Sequence, residues 1–499
     1  MAHIWATCRA PNYERFAERK TPEWFRDAKL GIFVHWGSTS TSTSTITITS
    51  TITSTSTCMP ATRPDTYASG SGELRAIVFR TDEDRRPYSV PSWAEPSGEL
   101  GNIPEEEVHE HNPYAEWYFN TMRFPDGPTA KHHREVYGDV PYEDFVDQWK
   151  AKDFDASQLV KLFSRAGAKY VVPVTKHHGM WRGGTQIWCL LLNASTIATA
   201  PSLILICGIP GCRQDCETDH SCRGIDWHFW PTKEPWKKGN YARPGIEDHA
   251  YNEYAWKHCQ DLIHKYRPFM LWGDIDWPKA GVAPGEYSLE NLLDKLYEAN
   301  PEAVINDRFG DTHWDFKTVE YGLGEPPKDR AEQWQFTRGI GLSFGYNQVE
   351  DESHSLSGSD AIRLLIDVCS NGGDLLLNVG PDADGNIPPV QLRCLEAMGD
   401  WMEVNGDAIH GTRPVDPELA KPLGKDKGDW VRWTRKGDRL FAFVDGEDKV
   451  TLPFDRELVD VAQAKLTSGE DIQVGERGVV DVAGLPTKLR PACVEFRAL

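Results

Sequence analysis

The stretch FMLWGDIDWP, residues 269–278, decides how the chain is interpreted. Four apolar residues lead through a glycine to Asp274 and Asp276, and a proline closes the segment. An apolar run that ends in an acidic, aromatic turn is typical of a strand in an α/β barrel or a doubly wound sheet. Such folds hold their catalytic groups at the carboxyl edge of the strands. We therefore expect Asp274 to be delivered to an active site.

A helix is predicted directly before this strand, because apolar residues recur there at helical spacing and Pro268 then ends the pattern. Further helices and strands alternate along the chain, which predicts an α/β fold with a (β/α)8-like barrel. The predicted strands are 30–34, 170–175, 269–273, 303–307, 315–321 and 375–379, and further predicted helices begin after Asp155 and near Ala361.

After Thr412 the alternation of helices and strands gives way to a pattern of short strands. The segment VRWTRKGDRLFAFV predicts a β-hairpin that turns at Gly437 and Asp438, and more short strands follow as far as Phe496. We expect a barrel domain over residues 1–410 and a small C-terminal β-sandwich over residues 411–499. The sandwich has no convergent set of acids, histidines or cysteines, so we assign it a structural role.

Composition excludes several function classes. The chain has 54 lysines and arginines against 75 acidic residues, a net charge of -21. Without a basic stripe, nucleic acid and anionic membranes are not expected partners. Nineteen tryptophans and sixteen tyrosines suit sugar rings, although plain packing uses the same residues.

No basic-then-apolar leader and no membrane-length apolar run is seen, so a cytoplasmic protein is expected. The sequence predicts no cofactor and leaves a homo-oligomer open.

Two segments are unlike the rest of the chain. Residues 38–57 repeat Ser, Thr and Ile without a helical face or caps, which favours disorder. A sharper hypothesis is that residues 38–86 are translated non-coding sequence. Residues 179–223 lack periodicity and contain five of the eleven cysteines. Zinc binding there is disfavoured, because the spacing of the candidate ligands matches no familiar paired arrangement. Those candidates are Cys207, Cys212, Cys216, His220 and Cys222.

Asp274 and Glu320 end two predicted strands and form a candidate pair of catalytic carboxylates. A retaining glycosidase needs one carboxylate as nucleophile and a second as acid/base, roughly 5 Å apart. With 75 acidic residues some such pair is inevitable, and most surface acids are only solvated. The adjacent His177 and His178 suggest a metal, but neighbouring residues on a strand point to opposite faces and no further ligands accompany them, so no metal is predicted.

Ten motifs, in order over residues 23–412, resemble the alpha-L-fucosidases of glycoside hydrolase family 29, which is far more specific than one short pattern. They are EWFRDAKLGIFVHWG, YSVPSWAEP, NPYAEWY, KYVVPVTKHH, GIDWHFWP, LWGDIDWP, INDRFGDTHWDFKTVEY, WQFTRGIGLSFGYN, NGGDLLLNVGPDADGNIP and VNGDAIHGT.

The resemblance implies a retaining exo-hydrolase of terminal alpha-L-fucose that acts on a fucosylated oligosaccharide or glycoconjugate. It implies Asp274 as the nucleophile and Glu320 as the general acid/base. It also implies a set of sugar-binding residues, of which the last three line the pocket around the C5 methyl group. They are His35, Glu116, Trp117, His177, His178, Arg308, Tyr114, Trp272 and Phe344. For Arg308, action on Glu320 or on the sugar and a purely structural ion pair are equally favoured.

Two departures from the family pattern motivate alternatives. The family runs from HWG directly into YSVP, whereas residues 38–86 intervene here, and residues 179–223 resemble no family segment. If the second segment is frameshifted, one strand and helix of the barrel are lost, which usually prevents folding. The alternatives to a fucosidase are therefore a catalytically impaired or inert relative, which binds sugar or misfolds, and a glycosidase of different specificity.

Overall fold

A computed structural model describes most of the predicted barrel and C-terminal region. The described residues are 12–36, 115–145, 151–175, 204–205, 207–209, 249–274, 277–310, 312–321, 332–348, 350–424, 430–446, 448–483 and 490–499. The predictions for Tyr114, His177 and His178, and for residues 38–86, lie outside these ranges. So do the side chains of the candidate zinc ligands.

The described strands alternate with helices up to residue 405 and are then followed almost entirely by strands. The strands of the first part are β1 Leu30–Val34, β2 Tyr170–Pro173, β3 Ile204–Leu205, β4 Cys207–Ile209, β5 Met270–Gly273, β6 Val304–Ile305, β7 Lys317–Glu320, β8 Trp334–Gly339 and β9 Asp374–Val379. The helices are α1 Glu23–Ala28, α2 Tyr118–Thr121, α3 Pro128–Tyr137, α4 Ala156–Arg165, α5 His249–Tyr266, α6 Lys279–Val282, α7 Leu289–Ala299, α8 Gly358–Ser370 and α9 Pro389–Asn405.

These strands close into a parallel barrel. β1 pairs with β2 on one side and with β9 on the other, and β9, β8 and β7 pair in turn. β5 pairs with β6, and a parallel bridge from Asn306 to Phe316 joins β6 to the strand that becomes β7. Closure removes exposed strand edges and directs all carboxyl ends to one face. The prediction of a (β/α)8-like barrel is confirmed.

The segment 179–223 supplies a barrel strand, which the sequence analysis did not expect. β3 pairs in parallel with β2 at Tyr170 and Val171, and β4 pairs in parallel with β5 from Leu271 to Gly273. Together they occupy the position between β2 and β5, so eight strand positions surround the barrel within the described residues. The loss of a strand, expected if this segment were frameshifted, is not observed. Backbone hydrogen bonding can form a ladder from residues that show no clear side-chain periodicity.

A local sequence signal explains where helix α4 begins. α4 begins at Asp155, whose carboxylate accepts hydrogen bonds from the backbone N–H groups of Ser157 and Gln158. Its buried face, which includes Leu159 and Phe163, packs on the barrel. The following strand ends at Pro173, two residues earlier than predicted.

The C-terminal region forms antiparallel sheets. Its strands are β10 Arg413–Pro414, β11 Trp430–Lys436, β12 Arg439–Asp445, β13 Lys449–Thr451, β14 Val459–Leu466, β15 Val479–Asp481 and β16 Ala492–Ala498. Five of them form one sheet in the order β10-β11-β12-β16-β14, and β13 pairs with β15. The hairpin turns at Gly437 and Asp438, where Gly437 has a φ of +64°. The predicted β-sandwich is confirmed, whereas the domain boundary at residue 410 stays a prediction.

Candidate active site

One arginine holds the two candidate catalytic carboxylates together at the carboxyl edge of the barrel. Asp274 directly follows β5, and Glu320 is the last residue of β7. The Nη1 of Arg308 donates to Asp274 Oδ1 at 2.6 Å, and its Nη2 donates to Glu320 Oε2 at 2.6 Å. Because both oxygens bind terminal nitrogens of the same guanidinium, the separation of the two carboxylates is limited. This arrangement is compatible with the roughly 5 Å spacing of a retaining glycosidase.

The environment of Arg308 makes this pair of contacts persistent. Its side chain is only 5% exposed, and its guanidinium carbon lies 5.0 Å from the ring centroid of Trp272. Burial acts to lower the pKa of the guanidinium, but the charges of Glu320 and Asp274 outweigh it and hold the pKa above its ordinary value. Arg308 therefore stays charged. The structure pairs Arg308 with Glu320, as the functional prediction had it, and also with Asp274. Its contact with the sugar stays a prediction.

The backbone before Asp274 is held by Asn306, a residue without a predicted role. Asn306 Oδ1 accepts from the backbone N–H of Gly273 at 2.8 Å, and its Nδ2 donates to the Gly273 carbonyl at 2.7 Å. The same Nδ2 also donates to Thr318 Oγ1 in β7. Asn306 thus ties the strand that ends at Asp274 to the strand that ends at Glu320. Such support sets the distance between the carboxylates.

Aromatic rings form one side of the site. Phe33 packs edge-on to Trp272 with ring centroids 4.9 Å apart, and His35 lies 4.9 Å from Phe344. Tyr321, next to Glu320 in the chain, packs edge-on to Phe344 at 5.3 Å. These rings provide an apolar wall beside the carboxylates, as a deoxy sugar requires.

His35 is held as a neutral imidazole of defined tautomer. Asn378 Nδ2 donates to the Phe344 carbonyl at 2.7 Å, so its Oδ1 faces His35 Nδ1 at 2.5 Å. Nδ1 must therefore carry the proton, which makes Nε2 the acceptor nitrogen. Burial lowers the pKa of His35 to about 4, although the hydrogen bond to Asn378 opposes this. His35 is suited to accept a hydrogen bond from a hydroxyl group.

Two glutamates, Glu116, which is buried, and Glu350, which is half-buried, hold the loop that carries Phe344. Glu350 accepts from the backbone N–H groups of Leu342 and Ser343, and Glu116 accepts from those of Phe344 and Gly345. Four successive amides are thereby satisfied by two carboxyl groups.

Burial raises the pKa of both Glu116 and Glu350 to about 7, against the opposing effect of these hydrogen bonds. Glu116 also interacts electrostatically with Glu320, which places it beside the catalytic pair. Trp117 follows it in the short helix Ala115–Trp117 and is buried.

The structure therefore brings together Asp274, Glu320, Arg308, Trp272, His35, Phe344 and Glu116. The contacts of all the predicted residues with a sugar stay predictions. The supporting residues Asn306, Glu350 and Asn378 were missed. A polar residue inside an apolar barrel strand is the signal that could have identified two of them, Asn306 in AVIND and Asn378 in LLLNV. Among the described residues, no group of three or more His, Cys, Asp and Glu side chains is arranged to hold a metal ion.

A closed parallel barrel with two carboxylates on one arginine at its carboxyl edge defines the class of barrel glycoside hydrolases. A model of the alpha-L-fucosidase family matches residues 4–67 and 86–407. The chain belongs to this family, glycoside hydrolase family 29, and is a glycoside hydrolase. The second matched range includes residues 179–223, where the sequence analysis saw no family resemblance.

Relatives of known identity agree with this assignment. An alpha-L-fucosidase of Dictyostelium discoideum is 24% identical over 426 residues, covering 81% of this chain and 74% of the relative. The tissue alpha-L-fucosidase of Homo sapiens is 24% identical over 445 residues, covering 87% and 77%. The Thermotoga maritima alpha-fucosidase, solved with a mechanism-based inhibitor, is similar with a TM-score of 0.70 and 31% identity, covering 98% of this chain and 99% of that one.

Proposed function

We propose that this chain is a retaining exo-glycosidase that releases terminal alpha-L-fucose by double displacement through Asp274 and Glu320. The observation that carries this proposal is the shared contact of both carboxylates with Arg308, at 2.6 Å each. The substrate is a fucosylated oligosaccharide or glycoconjugate, which the family membership and the apolar wall of rings support.

In the first step, the Asp274 carboxylate attacks the anomeric carbon while the glycosidic bond breaks. Glu320, in its acid form, gives its proton to the departing oxygen, so that the aglycone leaves as a neutral alcohol. The product is a fucosyl ester of Asp274. Substrate must enter beside Arg308, whose guanidinium then balances the charge of whichever carboxylate is ionised.

In the second step, the Glu320 carboxylate takes a proton from water, and the water oxygen attacks the anomeric carbon. The ester bond to Asp274 breaks, its carboxylate is restored and fucose leaves with its original anomeric configuration. Neutral His35 accepts a hydrogen bond from a sugar hydroxyl, and Glu116, whose pKa is about 7, accepts or donates one according to its protonation. Trp272 and Phe344 cover the C5 methyl group.

The first test is release of nitrophenol from 4-nitrophenyl alpha-L-fucoside by the purified chain. Turnover should fall by at least about 10⁴-fold in Asp274→Asn, which loses the nucleophile. Asp400→Asn, an exposed carboxylate paired with Arg165 on the outer helix, is the matched control and should keep full activity. Undiminished turnover in Asp274→Asn would remove the proposed nucleophile, and hydrolysis of another glycoside in preference would point to a different specificity.

Azide distinguishes the two roles. In Glu320→Ala, azide should restore turnover and give a fucosyl azide that keeps the configuration of the substrate, because it replaces water in the second step. In Asp274→Gly, azide attacks in place of the nucleophile and should give the opposite anomer. If Glu320→Ala gave the opposite anomer and Asp274→Gly the retained one, Glu320 would be the nucleophile and Asp274 the acid/base. The main argument for an inert relative was a missing barrel strand. That argument no longer holds, because β3 and β4 fill the strand position.

A further inference from the structure

Trp272 is anchored below the carboxylate pair by a residue to which no role has been assigned. Its indole N–H donates to Gln335 Oε1 at 2.8 Å, and both side chains are buried inside the barrel. The indole can only donate, so the orientation of the Gln335 amide follows from this bond. Gln335 Nε2 then donates to the hydroxyl of Tyr170 at 2.9 Å. That hydroxyl in turn donates to the carboxyl group of Asp374.

The result is a directed chain of hydrogen bonds across the barrel. Trp272 lies near the carboxyl end of β5, whereas Tyr170 and Asp374 are the first residues of β2 and β9. Gln335 is the second residue of β8 and joins the two halves. Buried hydrogen bonds of this kind hold one arrangement firmly, because a donor left without its acceptor is costly in the barrel interior.

The ring that Gln335 holds is the surface on which Arg308 lies. The guanidinium carbon is 5.0 Å from the Trp272 centroid, while its two terminal nitrogens bind Asp274 and Glu320. A planar guanidinium takes its orientation from the ring beneath it and from the carboxylates it joins. Rotation of the indole would therefore move Arg308 and change the spacing of the carboxylates.

We propose that Gln335 is a positioning residue for the reaction: its bond to the indole of Trp272 fixes the ring that supports Arg308, and so fixes the Asp274–Glu320 pair. This inference rests on the proposed function for its kinetic readout, but the geometry it predicts is independent of activity.

The test compares Gln335→Met, which keeps the shape of the side chain without an acceptor, with Tyr170→Phe. The second variant breaks the deeper half of the chain and leaves the bond from Trp272 to Gln335. We expect kcat/KM for the nitrophenyl fucoside to fall roughly 10- to 100-fold in Gln335→Met. In Tyr170→Phe it should stay within about threefold of the wild type, although the melting temperature should fall in both because each loses a buried hydrogen bond.

The pH profile separates positioning from loss of stability. A cation beside a carboxyl group favours its ionised form, so a displaced Arg308 should move the limbs of the kcat/KM profile to higher pH by roughly half a unit or more. Gln335→Met should show this displacement and Tyr170→Phe should not. If both variants lose activity equally with an unchanged profile, Gln335 is only a core residue and the proposal fails.

Two further measurements keep the proposal testable if Gln335→Met folds poorly or if the wild type is inactive. Trp272→Phe breaks the same bond from the other side and should move the profile in the same direction, and Gln335→Met added to it should have no further effect on the profile. A crystal structure of Gln335→Met should show Arg308 more than the wild-type 2.6 Å from at least one carboxylate. Unchanged distances in this variant would overturn the proposal, whether or not the enzyme hydrolyses a fucoside. If the wild type hydrolyses no fucoside, that result counts only against the proposed function.

Discussion

At the scale of single residues, Arg308 has a task that lysine cannot perform. Its guanidinium binds Asp274 and Glu320 through separate nitrogens, whereas an ammonium is a compact charge that reaches one of them. We expect Arg308→Lys to lower kcat/KM roughly 100-fold in the nitrophenyl fucoside assay. Arg165→Lys, in an exposed ion pair with Asp400, is the control and should leave activity unchanged. Equal activity of the two variants would contradict a bridging role.

Asn378 sets the tautomer of His35, and its removal should affect substrate binding. Asn378→Leu removes both the acceptor for Nδ1 and the donor to the Phe344 carbonyl. We expect KM to rise roughly tenfold, with stability falling by about 1–3 kcal/mol.

The matched control is Asn405→Leu. Asn405 is equally buried and donates to the Trp401 carbonyl, but it lies in α9 on the outside of the barrel. It should lose similar stability in a urea melt without a change in KM. A KM that is unchanged in Asn378→Leu would mean that His35 does not contact the sugar.

At the scale of elements, the loop after β8 is shaped by carboxyl groups as much as by its own residues. Gly341 lies against Glu350, and a Cβ at this position would collide with Glu350 Oε2. We expect Gly341→Ala to displace the carboxyl group from the amides of Leu342 and Ser343, and so to cost about 1–3 kcal/mol and raise KM.

Gly406→Ala provides the comparison for this loop. Gly406 has a φ of -57°, and the nearest atom to an added Cβ would be 3.7 Å away. This variant should unfold at the same urea concentration as the wild type or slightly above it. If Gly341→Ala behaved like Gly406→Ala in both urea melts and kinetics, the loop would not depend on Glu350.

At the scale of the whole molecule, the C-terminal sheet completes the packing of the barrel. Trp430 of β11 is buried in the same apolar cluster as the barrel helices, with Arg363 of α8 stacked 5.0 Å from its ring. Arg363 also forms an ion pair with Asp445 at 2.7 Å. We expect Trp430→Ala to cost about 3–5 kcal/mol, and the barrel and the sheet to unfold in one calorimetric transition.

Trp314→Ala is the control for this packing. Trp314 is 41% exposed, so its truncation should change the free energy of unfolding by less than about 0.5 kcal/mol. Two separate transitions in the wild type, or a Trp430→Ala variant as stable as Trp314→Ala, would show that the C-terminal sheet folds independently of the barrel.

Stability should also depend on pH through Asp374. Burial raises its pKa to about 7, although the hydrogen bond from Tyr170 and the charge of Lys29 oppose this. Between about pH 4 and 7 the folded protein keeps a proton that the unfolded chain releases, so this group makes stability fall as pH rises. Asp374→Asn lacks the group and should gain stability relative to the wild type from pH 4 to pH 7, by on the order of 4 kcal/mol. Urea melts at both pH values check this, and a difference that does not change with pH would contradict it.

Much of the molecule could be predicted because its signals are local. The helix before Pro268, the strand that delivers Asp274, the cap at Asp155 and the hairpin at Gly437 are each encoded within a few residues and are confirmed. The cytoplasmic location and the possible assembly into a homo-oligomer stay predictions. Among the described residues, no helix combines the length and apolar character of a membrane span.

The sequence by itself determined the class of fold, the order of its elements and the identity of the two carboxylates at strand ends, because periodicity and motifs are read along the chain. Only the tertiary structure decided that Arg308 joins those carboxylates, that Asn378 and Gln335 orient His35 and Trp272, and that residues within 179–223 complete the barrel. These facts depend on distances between residues far apart in the chain, and closure of the barrel sets those distances. A strand can also be completed by backbone hydrogen bonds alone, which leave little pattern in the side chains.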